Sequence, residues 1–285
     1  MNRASDNLIT RFKALADPAR LRLVALCGVA ECSVSELTEV TGLSQPRVSQ
    51  HLKALIDAGL LGRFRDGHFV YYRVPTSDAD VAARRRLLAL LPDDEPAFAR
   101  DLDRLRDLRG GDAGESAMGE EDRQLHKALV ELTVATSLGD LLDVGCGQGR
   151  LLKLLASRAR RLVGVDIDPA ARRLARAELL VAGLPNCSLR QGDMYALPFA
   201  DAEFDTIILD DVLAEAARPA DAIGEARRLL RPGGRILFLA ATSPRGEARL
   251  KSNFADWAAD ASLRLAPPRS IPEDKPGWLL GVATT

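Results

Sequence analysis

Residues 140–150 read DLLDVGCGQGR, an apolar run containing Asp143 that opens into glycines at 145, 147 and 149. Glycines at alternate positions let backbone approach a ligand closely beneath the start of a helix. Such a loop is weak evidence alone. It gains weight from Asp166, which ends the run RLVGVD 17 residues after Gly149, where a carboxylate can accept both hydroxyls of a ribose. A second group is ECSVSEL at residues 31–37, one thiol followed by two hydroxyls, shortly after Cys27. Soft metals need thiolates, and Cys27 with Cys32 offers at most two, short of the roughly three or four ligands of a tight site. A third group is cationic and amide-bearing: Gln45, Arg47, Gln50 and Lys53, with Ser49 and His51 beside them. These types can read base edges in a major groove.

The elements that must hold these groups follow from spacing. Leu8, Phe12 and Leu15 fall at helical intervals, Asp17-Pro18 breaks that helix, and the next carries Leu23, Leu26 and Cys27 on one face. Cys27 is thus expected in the core. SELTEVTG and SQPRVSQHLKALIDAG predict two short amphipathic helices separated by Gly42. In the second, Ser44 is the expected N-cap, Pro46 suits the first turn, and Val48, Leu52, Leu55 and Ile56 form the buried stripe. LLGRFRDGHFVYYRV then predicts a hairpin turning at Asp66-Gly67. Its Arg63, Arg65 and His68 can lie along a phosphate backbone or in a minor groove.

Residues 8–74, through FKALADPARLRLVALC, VSELTEVTGLSQPRVSQHLKALIDAGLL and GRFRDGHFVYYRV, resemble the winged helix-turn-helix of the ArsR/SmtB family of bacterial repressors. The resemblance implies a homodimer on a double-stranded operator, contacted through the reading helix and wing named above. It also implies a dimerising terminal helix over about Ser77–Leu91. Arsenic- and cadmium-type sensors of this family place Cys-Val-Cys where Ser33, Val34 and Ser35 stand. No metal site is therefore expected there; Ser33 or Ser35 serves as a helix N-cap and Cys32 packs.

Beyond residue 119 the chain alternates strand and helix. After the glycine loop come helix RLLKLLASR, strand RLVGVDID, helix ARRLARAELLVAGL, strand SLRQGD, strand FDTIILDD, helix DAIGEARRLL, turn RPGG and strand RILFLA. A last helix, GEARLKSNFADWAADASL, precedes strands SLRLA and GWLLGVAT with a Pro-rich turn between them. LLDVGCGQG, VDID, QGDMYALPFADAEFD and LLRPGGRILFLA in this order resemble class I S-adenosylmethionine (SAM)-dependent methyltransferases over about residues 125–285. The resemblance implies a site for SAM or S-adenosylhomocysteine. Asp143, Gly145, Cys146, Gly147 and Gly149 would stand by the methionine part, Asp166 and Ile167 by the ribose, Asp193 and Met194 by the adenine, and Asp210 at the SAM edge.

The expected fold class is α/β: an N-terminal winged helix-turn-helix, mostly α with a β-hairpin wing, and a C-terminal Rossmann-like methyltransferase domain. Forty-seven per cent hydrophobic residues in a chain of 285 suffice for two cores. Residues 1–92 carry 13 basic against 9 acidic side chains, residues 93–118 carry 4 against 8, and residues 119–285 carry 22 against 23. Only the first stretch leans towards an anionic partner. The second, acidic and containing LRGGDAGESAMGEED, reads as a linker between domains at 1–92 and 119–285. No apolar run approaches the roughly 18–20 residues of a membrane span, and the N-terminus has no signal-peptide core, so a cytoplasmic protein is expected.

Two functions fit. In one, the protein is a transcriptional repressor whose SAM-binding domain senses SAM or S-adenosylhomocysteine. In the other, that domain is an active methyltransferase on a small molecule and the DNA-binding domain autoregulates its gene. The segment after FDTIILDD lacks the histidine or aromatic residue that small-molecule methyltransferases often place there, and no catalytic residue is assigned. Asp210 and Asp211 remain open as a base, a grip on a cationic acceptor, or structural groups.

Overall fold

The computed structural model describes residues 3–76, 80–92, 95–110, 120–135, 137–243, 245–272 and 277–285. The chain forms two compact units, one of residues 1–113 with 176–185, the other of residues 114–175 with 186–285.

In the first unit, helices α1 (Arg3–Leu15) and α2 (Pro18–Val29) flank Asp17, whose side chain accepts the Arg20 N–H at 3.0 Å and caps α2. Strand β1 (Cys32–Ser33) leads into α3 (Val34–Thr41), which begins with a full capping box. Ser33 Oγ accepts the Glu36 N–H at 3.3 Å, and Glu36 accepts the Ser33 N–H at 2.7 Å. Of the two serines expected to cap, Ser33 does so. Helix α4 (Gln45–Asp57) starts at Ser44 as expected, but the Ser44 hydroxyl makes no capping bond. Strands β2 (Gly62–Asp66) and β3 (Phe69–Arg73) form the predicted hairpin, and β1 adds to β3. Leu23, Leu37, Val48, Leu52 and Leu55 make the core. Helix α5 spans Val81–Leu88, shorter than the expected Ser77–Leu91; residues 77–79 lie outside the described residues.

One expectation is corrected. Residues 96–108, read as part of an acidic linker, form helix α6 (Pro96–Leu108), with Leu105 fully buried in the core of the first unit. Its Asp101 is buried and takes two 2.6 Å bonds from Arg22 of α2. A segment rich in Asp and Arg has a linker's composition, yet its apolar residues recur at helical spacing and its charges are paired. Of the rest of the linker reading, residues 93–94 and 111–118 lie outside the described residues.

The second unit is built on a sheet ordered β10-β11-β8-β7-β4-β5-β6, with β9 paired to β11. Its strands are β4 (Asp140–Val144), β5 (Arg161–Asp166), β6 (Cys187–Gln191), β7 (Phe204–Asp210), β8 (Leu230–Ala241), β9 (Arg264–Leu265), β10 (Arg269–Ile271) and β11 (Trp278–Thr284). Strands β4 to β8 pair in parallel, and β11 runs antiparallel to β8. Helices α7 (Glu120–Ala135), α8 (Arg150–Leu155), α10 (Pro219–Leu229) and α11 (Glu247–Asp260) complete it, together with residues 169–175 of α9 (Pro169–Val181), whose remainder is counted with the first unit. The expected RPGG turn is a bulge inside β8: Phe204 faces Leu230 while Thr206 faces Arg235. PPRSI, read as turn, contains β10, and residues 273–276 of that turn lie outside the described residues.

The central strands β4 and β7 bury Leu141, Leu142, Val144, Ile207, Ile208 and Leu209, as strands covered on both faces do, and β4 also buries Asp140 and Asp143. Chain order reverses at β4, which has β5 on one side and β7 on the other. Ligands bind at the carboxyl ends of the strands beside such a switch point. The amino end of the sheet holds a structural network instead, where Arg231 bonds Asp205 at 2.8 Å and Asp140 at 3.1 Å.

Candidate functional site

At the carboxyl end of β4 the chain turns through Gly145 and Gly147, at φ 72° and 51°. That region is open to glycine and costly for other residues. A Cβ on Gly145 would lie 2.2 Å from Val212 Cγ1, so the position is also closed by packing. A Cβ on Gly147 would meet nothing within 4 Å. The Gly147 backbone thus borders open space in a conformation that a side chain would disfavour, as a ligand cradle requires. The loop is pinned from below, since the N–H groups of Gly145 and Cys146 both donate to the Val165 carbonyl, at 2.8 and 3.0 Å.

Asp166 ends β5 and clasps the loop. Its Oδ2 accepts the Gly147 N–H at 2.8 Å, and its Oδ1 accepts the Asp168 N–H at 2.8 Å. Each carboxylate oxygen has a second lone pair left for a ligand hydroxyl. Asp143 is buried within β4, and its Oδ1 has no hydrogen-bond partner. Burial, and next the charge of Asp210, pushes its pKa well above the usual carboxylate range, with Arg150 pulling the other way. A buried acceptor without a donor is costly to maintain. An ammonium ligand would supply that donor, so the acceptors here fit the amino-acid end of SAM.

Of the other residues expected here, Cys146 is buried and its thiol is pushed up by burial, which suits packing and not reactivity. Ile167 is exposed. Asp193 turns the chain after β6, its Oδ1 accepting the Tyr195 N–H at 3.1 Å, and Met194 packs against the core. The two aspartates after β7 are both engaged. Asp210 pairs with Arg150 at 2.9 Å, and Asp211, at φ 57°, accepts the Ala241 N–H at 3.3 Å.

Arg150 and Trp278 were not singled out by sequence. The Arg150 guanidinium lies 4.8 Å from the centre of the Trp278 ring while it bonds Asp210. A signal for Arg150 existed: it is a cation at the first position of α8, where the helix dipole disfavours one unless an acid compensates. Trp278 sits on β11, far along the chain, with no local signal.

In the first unit, Gln45, Arg47, Ser49, Gln50 and Lys53 are exposed on α4, and Val48, Leu52 and Leu55 are buried behind them. His51 is half-buried and its Nδ1 is enclosed without a partner, so it stands off the exposed face. Arg63, Arg65 and His68 are exposed on the hairpin. Two arginines fix the far end of α4. Arg11 of α1 donates to the Ala58 carbonyl at 3.3 Å, and the buried Arg84 of α5 donates to that of Gly59 at 2.8 Å. Cys27 and Cys32 are buried and reduced. Among the described residues no group of three or more His, Cys, Asp or Glu could hold a metal ion.

Residues 17–62 match the model of the "Bacterial regulatory protein, arsR family". The "Probable mercury resistance operon repressor" of Streptomyces lividans is 43% identical over 85 residues, which are 30% of this chain and 68% of that protein. The chain belongs to the arsR family of bacterial regulatory proteins. Residues 142–238 of this arsR-family protein match the model "Methyltransferase domain". A "Probable S-adenosylmethionine-dependent methyltransferase" of Mycolicibacterium smegmatis is 36% identical over 106 residues, 37% of this chain and 38% of that one. A solved SAM-dependent methyltransferase from Aquifex aeolicus superposes with a TM-score of 0.51 at 16% identity, covering 58% of this chain and 93% of its own; it shares the fold. The chain spans between 28% and 42% of the length of the first three curated relatives it matches. The arsR-family protein thus joins a DNA-binding domain to a domain of the SAM-dependent methyltransferase kind. No helix of the described residues is long and apolar enough to cross a membrane.

Proposed function

We propose that this protein is a cytoplasmic transcriptional repressor whose methyltransferase-like domain binds SAM or S-adenosylhomocysteine as an effector. The observation that carries the reading is the state of the two acids beside the cradle. Asp210 is neutralised by Arg150, and Asp211 is spent on the Ala241 amide at the end of β8. Neither stands ready as a general base, while the loop and Asp166 retain the geometry of a ligand site. An effector changes operator affinity only by binding the DNA-competent and DNA-free states unequally.

A homodimer supports operator binding through two half-sites. Leu8, Ile9 and Phe12 of α1 are each at least 41% exposed, an apolar face that a second copy would cover. The second reading, an active methyltransferase on a small molecule, draws support from the 36% identity to the Mycolicibacterium smegmatis protein. An operator selected from random duplexes decides between them. Its affinity is titrated with SAM and S-adenosylhomocysteine beside a methyl-transfer assay on candidate acceptors. A shift in DNA affinity with either nucleotide is expected; no shift, with rapid acceptor-dependent turnover, would replace the sensor by the enzyme.

A further inference from the structure

Residues 176–185 lie inside the methyltransferase match, yet they pack as part of the first unit. Leu180 of α9 is 1% exposed in the core cluster of that unit. One turn earlier on the same helix face, Arg176 Nη2 stands 2.6 Å from Asp66 Oδ2, and the two side chains are 6% and 3% exposed. The Arg176 guanidinium also lies 4.0 Å from the centre of the Tyr71 ring, and its Nε is 3.5 Å from Glu31 Oε2. Asp66 ends β2 at the turn of the hairpin, and Tyr71 is the middle residue of β3. One arginine of α9 therefore grips both strands of the wing. Arg109, just past α6, braces it by donating to the Arg176 carbonyl at 3.4 Å and to that of Glu31 at 2.6 Å.

We propose that Arg176 is a positioning residue for DNA binding, holding the wing where Arg63 and Arg65 can meet phosphate. The proposal rests on the operator-binding reading above. A hairpin of two strands is marginally stable by itself in water, and β1 adds only two paired residues to it. Side chains alternate across its strands: Arg63 and Arg65 are exposed on one face, while Asp66 and Tyr71 are buried on the other. A carboxylate buried as deeply as Asp66 requires a paired cation. Arg176 supplies it, and a planar guanidinium can serve the Asp66 carboxylate and the Tyr71 ring together, as an ammonium cannot. Arg176 is too enclosed to reach a phosphate itself, so its effect on DNA must pass through the wing.

The test uses the full-length protein and its selected operator, with fluorescence anisotropy over a salt series. Arg176→Ala should lower the slope of log affinity against log salt by about 2, the sum for two phosphate contacts of roughly 0.9 each. Adding Arg65→Ala to it should then leave the slope where it is. Loss of folded protein lowers the active fraction without changing the slope, so the slope separates positioning from stability. Arg176→Lys, which keeps the charge without the fork, should fall between wild type and Arg176→Ala. If Arg176→Ala gives no cooperative melt, Arg176→Lys and Asp66→Asn carry the same comparison. An unchanged slope in the folded variants, or a full further drop of about 1 on adding Arg65→Ala, would overturn the proposal.

Hydrogen exchange of the DNA-free protein gives a reading independent of the operator. Amides of β2 and β3 should exchange faster in Arg176→Ala while those of α4 stay protected, and unchanged exchange in the wing would also overturn the proposal. Wild-type slopes in Arg63→Ala and Arg65→Ala would instead refute the wing's place on phosphate, and exchange would still decide whether Arg176 holds it. Failure of the SAM titration leaves every one of these outcomes unaltered.

Discussion

Asp166 Oδ2 accepts the Gly147 N–H at 2.8 Å, so the carboxylate expected to meet a ribose also holds the glycine loop closed. Arg172 bonds the Asp166 carbonyl at 2.8 Å and fixes the strand end behind it. Asp166→Ala therefore removes the clasp of the loop together with the proposed ligand contact. Charge-assisted hydrogen bonds contribute about 1.5–3 kcal/mol each, so SAM affinity should fall roughly 10- to 100-fold. Asp166→Asn, which keeps one acceptor, should fall between. Calorimetric titration reads the result, and wild-type affinity in Asp166→Ala would remove Asp166 from the site.

Asp143 makes the second domain sensitive to pH. Its carboxyl is raised by burial and then by Asp210, so the folded state holds the proton more tightly than the unfolded chain. Stability must then fall as pH rises from about 4, the unfolded value, towards the folded one. Calorimetric melting of the ligand-free protein across that window should show the decline, and Asp143→Asn should flatten it. Asp210→Asn should move the decline to lower pH by removing a neighbouring negative charge. Parallel slopes in wild type and Asp143→Asn would show that Asp143 is not the source.

Much of this was legible because helix and strand periods assign faces. Val48, Leu52 and Leu55 point inward on α4, and that alone sends Gln45, Arg47, Gln50 and Lys53 outward. His51 borders the stripe, and there the packing of neighbouring elements, not the period, sets exposure. Helix α6 escaped because pairing of Asp101 with Arg22 spans 79 residues. The Arg150–Asp210 pair spans 60, so the engagement of the acid beside the cradle had no local sign beyond a cation at a helix start. The glycine loop and Asp166 were readable since both satisfy local backbone demands.

The capping box at α3 predicts an asymmetry between two adjacent serines. Ser33→Ala removes the acceptor for the Glu36 amide and should cost about 1 kcal/mol. Ser35→Ala removes only a 3.1 Å hydroxyl contact with Ser33 and should cost much less. Hydrogen exchange at the first-turn amides of α3 distinguishes them: it should quicken in Ser33→Ala alone. Equal exchange in the two variants would mean that the box contributes little.

On the proposed DNA-binding surface, some residues should follow charge and others sequence. Arg63 and Arg65 are exposed on the wing, where each phosphate contact should add about 0.9 to the slope of log affinity against log salt. Arg63→Ala and Arg65→Ala should each reduce that slope by about 1 and weaken operator and scrambled duplex alike. Gln50 is exposed on α4, and Gln50→Ala should cost about 1–3 kcal/mol on the operator while leaving the scrambled duplex nearly unchanged. His51→Ala should leave the salt slope unaltered, because the side chain is half-buried with an enclosed Nδ1. Fluorescence anisotropy over a salt series measures all four variants. An unchanged slope in Arg65→Ala would take the wing off the phosphates, and an equal loss on both duplexes in Gln50→Ala would deny α4 its base contact.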